Sequence, residues 1–140
     1  MKVKEIMSTQ VQRIHKGASI QQAAEQMKTC DVGMVPVYEG DRLVGTLTDR
    51  DLAVRAVAEK RDPTSTKIGD VMSPKVTYCF EDQDVVDAGN IMAEHQIRRL
   101  VVLNRDKRLV GVVSLGDLAT SSGSKQMVAE ALENISRQTT

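Results

Sequence analysis

One short pattern occurs twice in this chain and constrains its fold more than any other feature. Residues 42–52 read RLVGTLTDRDL, and residues 108–118 read RLVGVVSLGDL. In each copy, strand-type apolar residues lead through a glycine to a hydroxyl residue and then to an aspartate, giving Gly45, Thr48, Asp51 and Gly111, Ser114, Asp117. Threonine and serine are favoured helix N-caps because the side-chain oxygen accepts a bond from a free backbone N–H. Each copy therefore predicts a strand that runs directly into a helix, and we name the copies motif 1 and motif 2.

The duplication extends well beyond the motifs. Val3–Asp51 aligns with Ile68–Asp117 with one additional residue in a loop, and such self-similarity indicates a repeated structural unit. Each repeat reads as β-α-β-β-α, with first strands at 11–14 and 75–79 and helices capped by Ser19 and Asp84. A single repeat is too small to cover its own sheet. The predicted fold class is therefore mixed α+β, with two repeats packed sheet to sheet about a pseudo-twofold axis.

The predicted boundaries follow from this alignment. We place repeat 1 at residues 1–59, a polar linker at 60–67, repeat 2 at 68–122 and a C-terminal helix with its tail at 123–140. Ser121–Ser124 is expected to break the preceding helix. The tail carries an apolar stripe at helical spacing, formed by Met127, Val128, Ala131, Leu132 and Ile135. This helix is expected to pack on its own domain or to cross to a partner subunit.

The composition excludes several classes of function. The 19 Lys and Arg residues balance the 19 Asp and Glu residues, whereas nucleic acids and anionic membranes both favour a basic face. No apolar run approaches the roughly 18 residues of a membrane span, and the first residues do not resemble a secretory signal. We therefore expect a cytoplasmic protein in which Cys30 and Cys79 are free thiols.

The motifs also suggest a chemistry. A carboxylate beside a hydroxyl can accept hydrogen bonds from the vicinal diol of a ribose, and the adjacent helix N-terminus suits a phosphate. The alternative is structural, with Thr48 and Ser114 as ordinary caps and Asp51 and Asp117 as first-turn acids. The upstream glycine favours binding, because it allows a close approach to the backbone that a cap alone does not require.

Four segments together resemble a known family. They are VGMVPV at 32–37, GTLTDRDL at 45–52, HQIRRLVV at 95–102 and GVVSLGDL at 111–118. In this order, and duplicated, they resemble a tandem pair of cystathionine-β-synthase (CBS) domains, the Bateman module, as found in small stand-alone bacterial proteins. The resemblance covers almost the whole chain. One departure is Val101, at a place where many relatives and repeat 1 (Pro36) have proline.

The resemblance implies a regulatory module that binds adenosine-containing ligands in the cleft between its repeats. In the family, the aspartate of the motif holds the ribose hydroxyls and the hydroxyl residue assists, so these roles fall on Asp51 with Thr48 and on Asp117 with Ser114. The segment before the second strand lines the adenine, which here means Val32, Gly33 and Met34 in repeat 1 and Ile97, Arg98 and Arg99 in repeat 2. Each nucleotide is expected to touch both repeats.

Three arginines are candidates for phosphate binding, because a guanidinium suits phosphate geometry. Arg98 and Arg99 stand where relatives often place a basic residue, and Arg50 could substitute in motif 1, where Gly33 and Met34 carry no charge. We expect phosphate to bind beside Asp117. The structural alternative for either adjacent arginine is a surface salt bridge.

Three other classes of function are alternatives. The chain has no nucleophile elbow, Walker loop or zinc-hydrolase motif, so we do not expect an enzyme. Cys30, Cys79 and His95 could form a metal or redox sensor, although three ligands would leave a zinc site short of its fourth. A structural adaptor is the third alternative, if Met34 or Tyr78 fills the clefts.

The sequence and the resemblance together predict a non-enzymatic sensor of AMP, ADP or ATP that needs no cofactor or metal. S-adenosylmethionine and NAD remain possible ligands, since all of these present adenosine. We also expect a homodimer, with residues 52–57 contributing apolar contacts, and a regulated partner protein that the sequence does not identify.

Overall fold

The computed structural model describes residues 1–121 and 125–137, so three residues (122–124) of the predicted helix-breaking segment Ser121–Ser124 lie outside them. Two compact units divide the chain: Val11–Val76 forms one, and Met1–Gln10 together with Thr77–Thr140 forms the other. We name them unit A (Val11–Val76) and unit B. Both hold a three-stranded sheet with helices, as the mixed α+β prediction required. The first ten residues thus group with the later part of the chain.

Unit A contains the β-α-β-β-α elements of the first repeat in the predicted order, followed by a helical turn that the sequence predicts at the start of repeat 2. They are β1 (Ile14–His15), α1 (Ile20–Cys30), β2 (Met34–Glu39), β3 (Arg42–Thr48), α2 (Asp49–Asp51), a π-helix (Leu52–Val57) and a 3₁₀ turn (Ile68–Asp70). The sheet order is β1-β2-β3, with β1 parallel and β3 antiparallel to β2. The first strand is shorter than the predicted 11–14, because only Ile14 and His15 pair with β2.

Unit B has the same β-α-β-β-α order, but its 3₁₀ turn comes before the first strand instead of after the last helix. It comprises a 3₁₀ turn (Val3–Glu5), β4 (Tyr78–Phe80), α3 (Val85–His95), β5 (Arg99–Leu103), β6 (Leu109–Ser114), α4 (Leu115–Ser121) and α5 (Lys125–Ser136). The sheet order is β4-β5-β6, again with one parallel and one antiparallel pair. The predicted strand 75–79 begins later, at Tyr78, where pairing with Val101 starts.

The two long helices begin and end for local reasons. The Ser19 hydroxyl accepts the Gln22 N–H at 3.2 Å, and the Asp84 carboxylate accepts the Val86 N–H at 2.9 Å, which confirms both predicted caps. Asp31 and Gln96 end α1 and α3 in the left-handed conformation. Each helix buries its apolar stripe, formed by Ile20, Ala23 and Met27 in α1 and by Val85, Ala88 and Met92 in α3.

The C-terminal helix α5 packs on its own unit. It contacts α3 and α4, and Ala131 is buried in the core of unit B. The Gln96 side-chain amide donates to the carbonyls of Asn134 and Arg137 at 3.1 and 2.9 Å, so it satisfies acceptors that the end of a helix leaves unpaired. Leu132 remains 43% exposed. Of the two predicted roles for this helix, the structure shows packing on its own domain.

Within the described residues, no helix is both long and apolar enough to cross a membrane.

Candidate functional site

Motif 1 closes on itself through a reciprocal pair of hydrogen bonds. The Thr48 hydroxyl accepts the Asp51 N–H at 3.0 Å, and the Asp51 carboxylate accepts the Thr48 N–H at 2.9 Å through Oδ2. This is a capping box, which satisfies two backbone donors at the start of a helix. Thr48 is also the last residue of β3, so the box stands at the predicted strand-to-helix junction.

Motif 2 has the same geometry. The Ser114 hydroxyl accepts the Asp117 N–H at 3.0 Å, and Asp117 Oδ2 accepts the Ser114 N–H at 2.9 Å. Both aspartates are partly buried. In the described part of the chain, Asp117 Oδ1 has no hydrogen bond or ion pair. One carboxylate oxygen therefore orders the helix start, and the other remains available to a ligand.

The neighbouring candidate residues lie beside their own motif. In unit A, Met34 pairs with Thr48 across the sheet, and the Gly33 carbonyl accepts the Asp49 N–H at 3.0 Å. Val32 precedes them and is exposed. The sheet and loop thus bring Val32, Gly33 and Met34 to the same edge of unit A as Thr48, Arg50 and Asp51.

Unit B groups the matching set. Arg99 pairs with Ser114 across the sheet, and the Arg98 carbonyl accepts the Leu115 N–H at 2.8 Å. Ile97 is half-buried and precedes them. The structure thus brings Ile97, Arg98 and Arg99 beside motif 2, whereas their role in ligand binding stays a prediction.

The three candidate arginines are available for an anion. Arg50, Arg98 and Arg99 are exposed, and among residues 1–121 and 125–137 none of their guanidinium groups has a hydrogen bond or ion pair. Within the described residues, neither Arg98 nor Arg99 therefore forms the surface salt bridge that is its structural alternative. Two adjacent unpaired guanidinium groups lie beside motif 2, and one lies beside motif 1.

The glycine of each motif is required by the packing of the chain itself. The sequence had favoured a ligand as the group that approaches it. An alanine Cβ at Gly45 would lie 2.4 Å from the Ser73 carbonyl oxygen, and one at Gly111 would lie 2.8 Å from the Ser8 carbonyl oxygen. The chain itself makes the close approach, because Thr46 pairs with Ser73 and Val112 with Ser8. The glycine therefore does not favour a ligand over a structural role, and ligand binding at the motifs stays a prediction.

The sequence analysis also missed Arg55. Its Nη1 donates to the Val71 and Met72 carbonyls at 3.2 and 3.1 Å, and its Nε lies 3.9 Å from Asp51 Oδ1. The available signal was the spacing, since Asp51 and Arg55 are four residues apart and such pairs meet on a helix. Its contacts with residues 71 and 72 carry no signal in the local sequence.

Comparison with known proteins gives the family. A family model for the CBS domain matches residues 3–57 and again residues 68–123. The chain belongs to the CBS domain family. These matches cover both predicted repeats, and CBS pairs are in general regulatory ligand-binding modules. No catalytic domain is evident beside them, although CBS domains also occur within enzymes such as inosine-5'-monophosphate dehydrogenase.

Several CBS proteins are similar over most of the chain. The CBS domain-containing protein YhcV of Bacillus subtilis is 43% identical over 136 residues, 97% of this chain and 96% of the relative. Hypoxic response protein 1 of Mycobacterium tuberculosis is 32% identical over 83% of this chain and 81% of its own. A crystal structure of hypoxic response protein I with two coordinated zinc ions has a TM-score of 0.78 at 31% identity, covering 86% of this chain and 98% of that one.

A further solved structure contains adenosine compounds. The CBS domain pair of protein MJ0100, in complex with 5'-methylthioadenosine and S-adenosyl-L-methionine, has a TM-score of 0.79 at 27% identity. The similarity covers 90% of this chain and 98% of that one. Two ligands of that CBS pair thus share the adenosine group.

The cysteines of this CBS pair differ in environment. Cys30 is half-exposed at the end of α1, and Cys79 is buried in the core of unit B. Burial raises the pKa of the Cys79 thiol to about 11, because an apolar core disfavours the thiolate. Within the described ranges, no three His, Cys, Asp or Glu side chains form a group that could hold a metal ion.

The buried thiol predicts a specific pH dependence of stability. The unfolded chain releases the Cys79 proton near pH 9, whereas the folded chain retains it to about pH 11. The free energy of unfolding should therefore fall as the pH rises through this window. Below the window, the contribution of Cys79 is fully present. Urea unfolding at several pH values from 8 to 11 measures the slope.

Two variants serve as controls for this slope. Cys79→Ala should flatten it, and Cys30→Ala makes the same chemical change at the half-exposed cysteine. Equal slopes in the wild type and Cys79→Ala would contradict the prediction.

Proposed function

We propose that this CBS pair senses an adenosine-containing nucleotide, with AMP, ADP or ATP as the expected ligands and S-adenosylmethionine or NAD as alternatives. The observation that carries the proposal is the partly buried carboxylate of each motif. One oxygen is held by the backbone of its own motif, so the carboxylate is already oriented before a ligand arrives. A ribose diol supplies two hydroxyl donors to such an acceptor.

The environment of motif 2 supports a phosphorylated ligand. The unpaired guanidinium groups of Arg98 and Arg99 adjoin the strand that carries Ser114, and arginine binds phosphate through paired N–H groups. The adenosine compounds bound to the MJ0100 domain pair give the proposal independent support. Phosphate and ribose recognition together favour a nucleotide over free adenosine.

The test is titration calorimetry of the full chain with AMP, ATP, S-adenosylmethionine and adenosine. Asp117→Asn and Asp51→Asn are the informative variants, because the amide oxygen can still accept the backbone N–H while the negative charge is lost. A hydrogen bond to a charged group contributes about 1.5–3 kcal/mol. We therefore expect each variant to bind AMP at its own motif at least about tenfold more weakly.

Matched controls are available on exposed turns. Asp41→Asn and Asp106→Asn make the same chemical change away from the motifs and should retain wild-type affinity. Failure of the wild type to bind any of the four ligands would overturn the proposal and favour a structural adaptor. Weaker binding of adenosine than of AMP would support the phosphate role of the arginines.

Signalling requires that the ligand favour one conformation of the module over another, and the regulated partner stays a prediction. The homodimer is also a prediction. Val54 and Val57 on the π-helix are 50% and 75% exposed, so the predicted contact helix does present apolar surface. A metal sensor has weaker support: zinc is bound in the hypoxic response protein I structure, but the described residues here group no three metal ligands.

A further inference from the structure

The two motifs are built alike up to the aspartate and differ immediately after it. In unit B, α4 continues as a regular α-helix through Ser121. In unit A, Leu52–Val57 is wound as a π-helix, and the Ala58 N–H bonds to the Ala53 carbonyl five residues earlier at 3.0 Å. Single π-turns inside helices are rare and occur frequently at functional sites.

The residue four positions after the aspartate also differs. It is Arg55 in motif 1 and Ser121 in motif 2. The Arg55 guanidinium lies 3.9 Å from Asp51 Oδ1, the oxygen that the capping box leaves uncommitted. The equivalent oxygen of Asp117 has no such cation among the described residues. The two candidate ribose acceptors are therefore electrostatically unequal.

Arg55 is held in this position from the opposite side. Its Nη1 donates to the carbonyls of Val71 and Met72 at 3.2 and 3.1 Å. These carbonyls directly follow the 3₁₀ turn Ile68–Asp70 and precede Ser73, which pairs with Thr46 of β3. One planar guanidinium thus contacts both the motif 1 carboxylate and the segment that pairs with β3 through Ser73. Lysine lacks the fork geometry for such a double contact.

We propose that Arg55 weakens nucleotide binding at motif 1 relative to motif 2, because its guanidinium pairs with Asp51 Oδ1, the oxygen proposed to accept a ribose hydroxyl. This inference rests on the proposed function and deepens it. A ribose hydroxyl at Asp51 must compete with the Arg55 guanidinium, whereas Asp117 Oδ1 has no cation partner within residues 1–121 and 125–137. The nucleotide consequently fills motif 2 first, and motif 1 responds only at higher ligand concentration.

The size of the effect follows from the exposure of the pair. The Asp51 side chain is 15% exposed and the Arg55 side chain is 49% exposed, so solvent screens the attraction. Pairs of this kind contribute little to stability, and their coupling corresponds to about a two- to fivefold change in an equilibrium constant. Removing the guanidinium should therefore tighten nucleotide binding at motif 1 by about two- to fivefold.

The experiment measures each motif separately. AMP is titrated into the full chain in an Asp117→Asn background, which leaves motif 1 intact, and in an Asp51→Asn background, which leaves motif 2 intact. Arg55→Gln is added to each background. We expect tighter binding in the first background and no change in the second, whereas a merely structural role for Arg55 would weaken binding.

Two comparisons complete the test. Arg55→Lys keeps a cation near Asp51 and should keep AMP affinity at motif 1 within about twofold of Arg55. Hydrogen exchange of the Ser73 amide in the ligand-free protein should be faster in Arg55→Gln than in the wild type, because the contacts to Val71 and Met72 are lost; this measurement needs no nucleotide.

The outcomes separate the inference from the proposed function. AMP binding by the wild type with unchanged or weaker affinity of Arg55→Gln at motif 1 overturns this inference alone. Absence of AMP binding by the wild type overturns both. Unchanged Ser73 exchange in Arg55→Gln overturns the contact on which the argument depends, whatever the nucleotide does.

Discussion

Gly45→Ala is expected to lower the free energy of unfolding by about 3 kcal/mol, at the top of the range for overpacked sites. The added methyl group would lie 2.4 Å from the Ser73 carbonyl oxygen and 3.0 Å from the Met72 sulfur. The first neighbour is backbone, so it cannot rotate away as the end of a side chain would. The two Thr46–Ser73 backbone hydrogen bonds, at 3.0 and 2.9 Å, must lengthen or break to admit the methyl group.

Two other glycines provide graded controls for urea unfolding. At Gly111 the new methyl group would meet the Met7 sulfur at 2.7 Å and the Ser8 carbonyl oxygen at 2.8 Å, so Gly111→Ala should cost less, because part of the obstacle is a flexible side chain. At Gly116 the nearest atom is the Ser114 hydroxyl at 3.5 Å. Gly116→Ala should be neutral or stabilise the helix by up to about 1 kcal/mol. Equal stability of Gly45→Ala and the wild type would refute the steric argument.

The motif glycines show where sequence reasoning succeeds and where it fails. The spacing of Gly45, Thr48 and Asp51 correctly predicted a strand, a cap and a first-turn acid, because those features depend on neighbouring residues. It also correctly predicted that something approaches the glycine closely. It could not show that the approaching group is Ser73, 28 positions away, because long-range pairing leaves no local pattern.

The same limit applies to the grouping of the chain. Internal symmetry predicted a three-stranded sheet in each repeat and the order of its elements along the chain. The segment that precedes the first strand of each repeat contains no sequence pattern that indicates which sheet it joins. In the structure, Ser8 pairs with Val112, and Ser73 pairs with Thr46 of the sheet that precedes it in the chain. Arg55 is a further case: its spacing from Asp51 was visible, whereas its bonds to Val71 and Met72 depend on that pairing.

The second large effect concerns the core of unit B. Leu100 is fully buried on β5, opposite Val113, and packs in one cluster with Met92 and Leu118. Leu100→Ala removes apolar contacts and leaves a cavity that the surrounding strands fill only in part. Such substitutions cost about 2–5 kcal/mol, and urea unfolding of the full chain measures the loss.

Leu132→Ala is the matched control, because Leu132 is 43% exposed and surface changes usually stay within about 0.5 kcal/mol. Leu100 also follows Arg98 and Arg99 in the chain and anchors the strand that pairs Arg99 with Ser114. If the core acts only through stability, the AMP affinity of Leu100→Ala should stay near the wild-type value under conditions in which the variant is folded. A loss of less than about 1 kcal/mol would mean that the cluster repacks around the missing side chain.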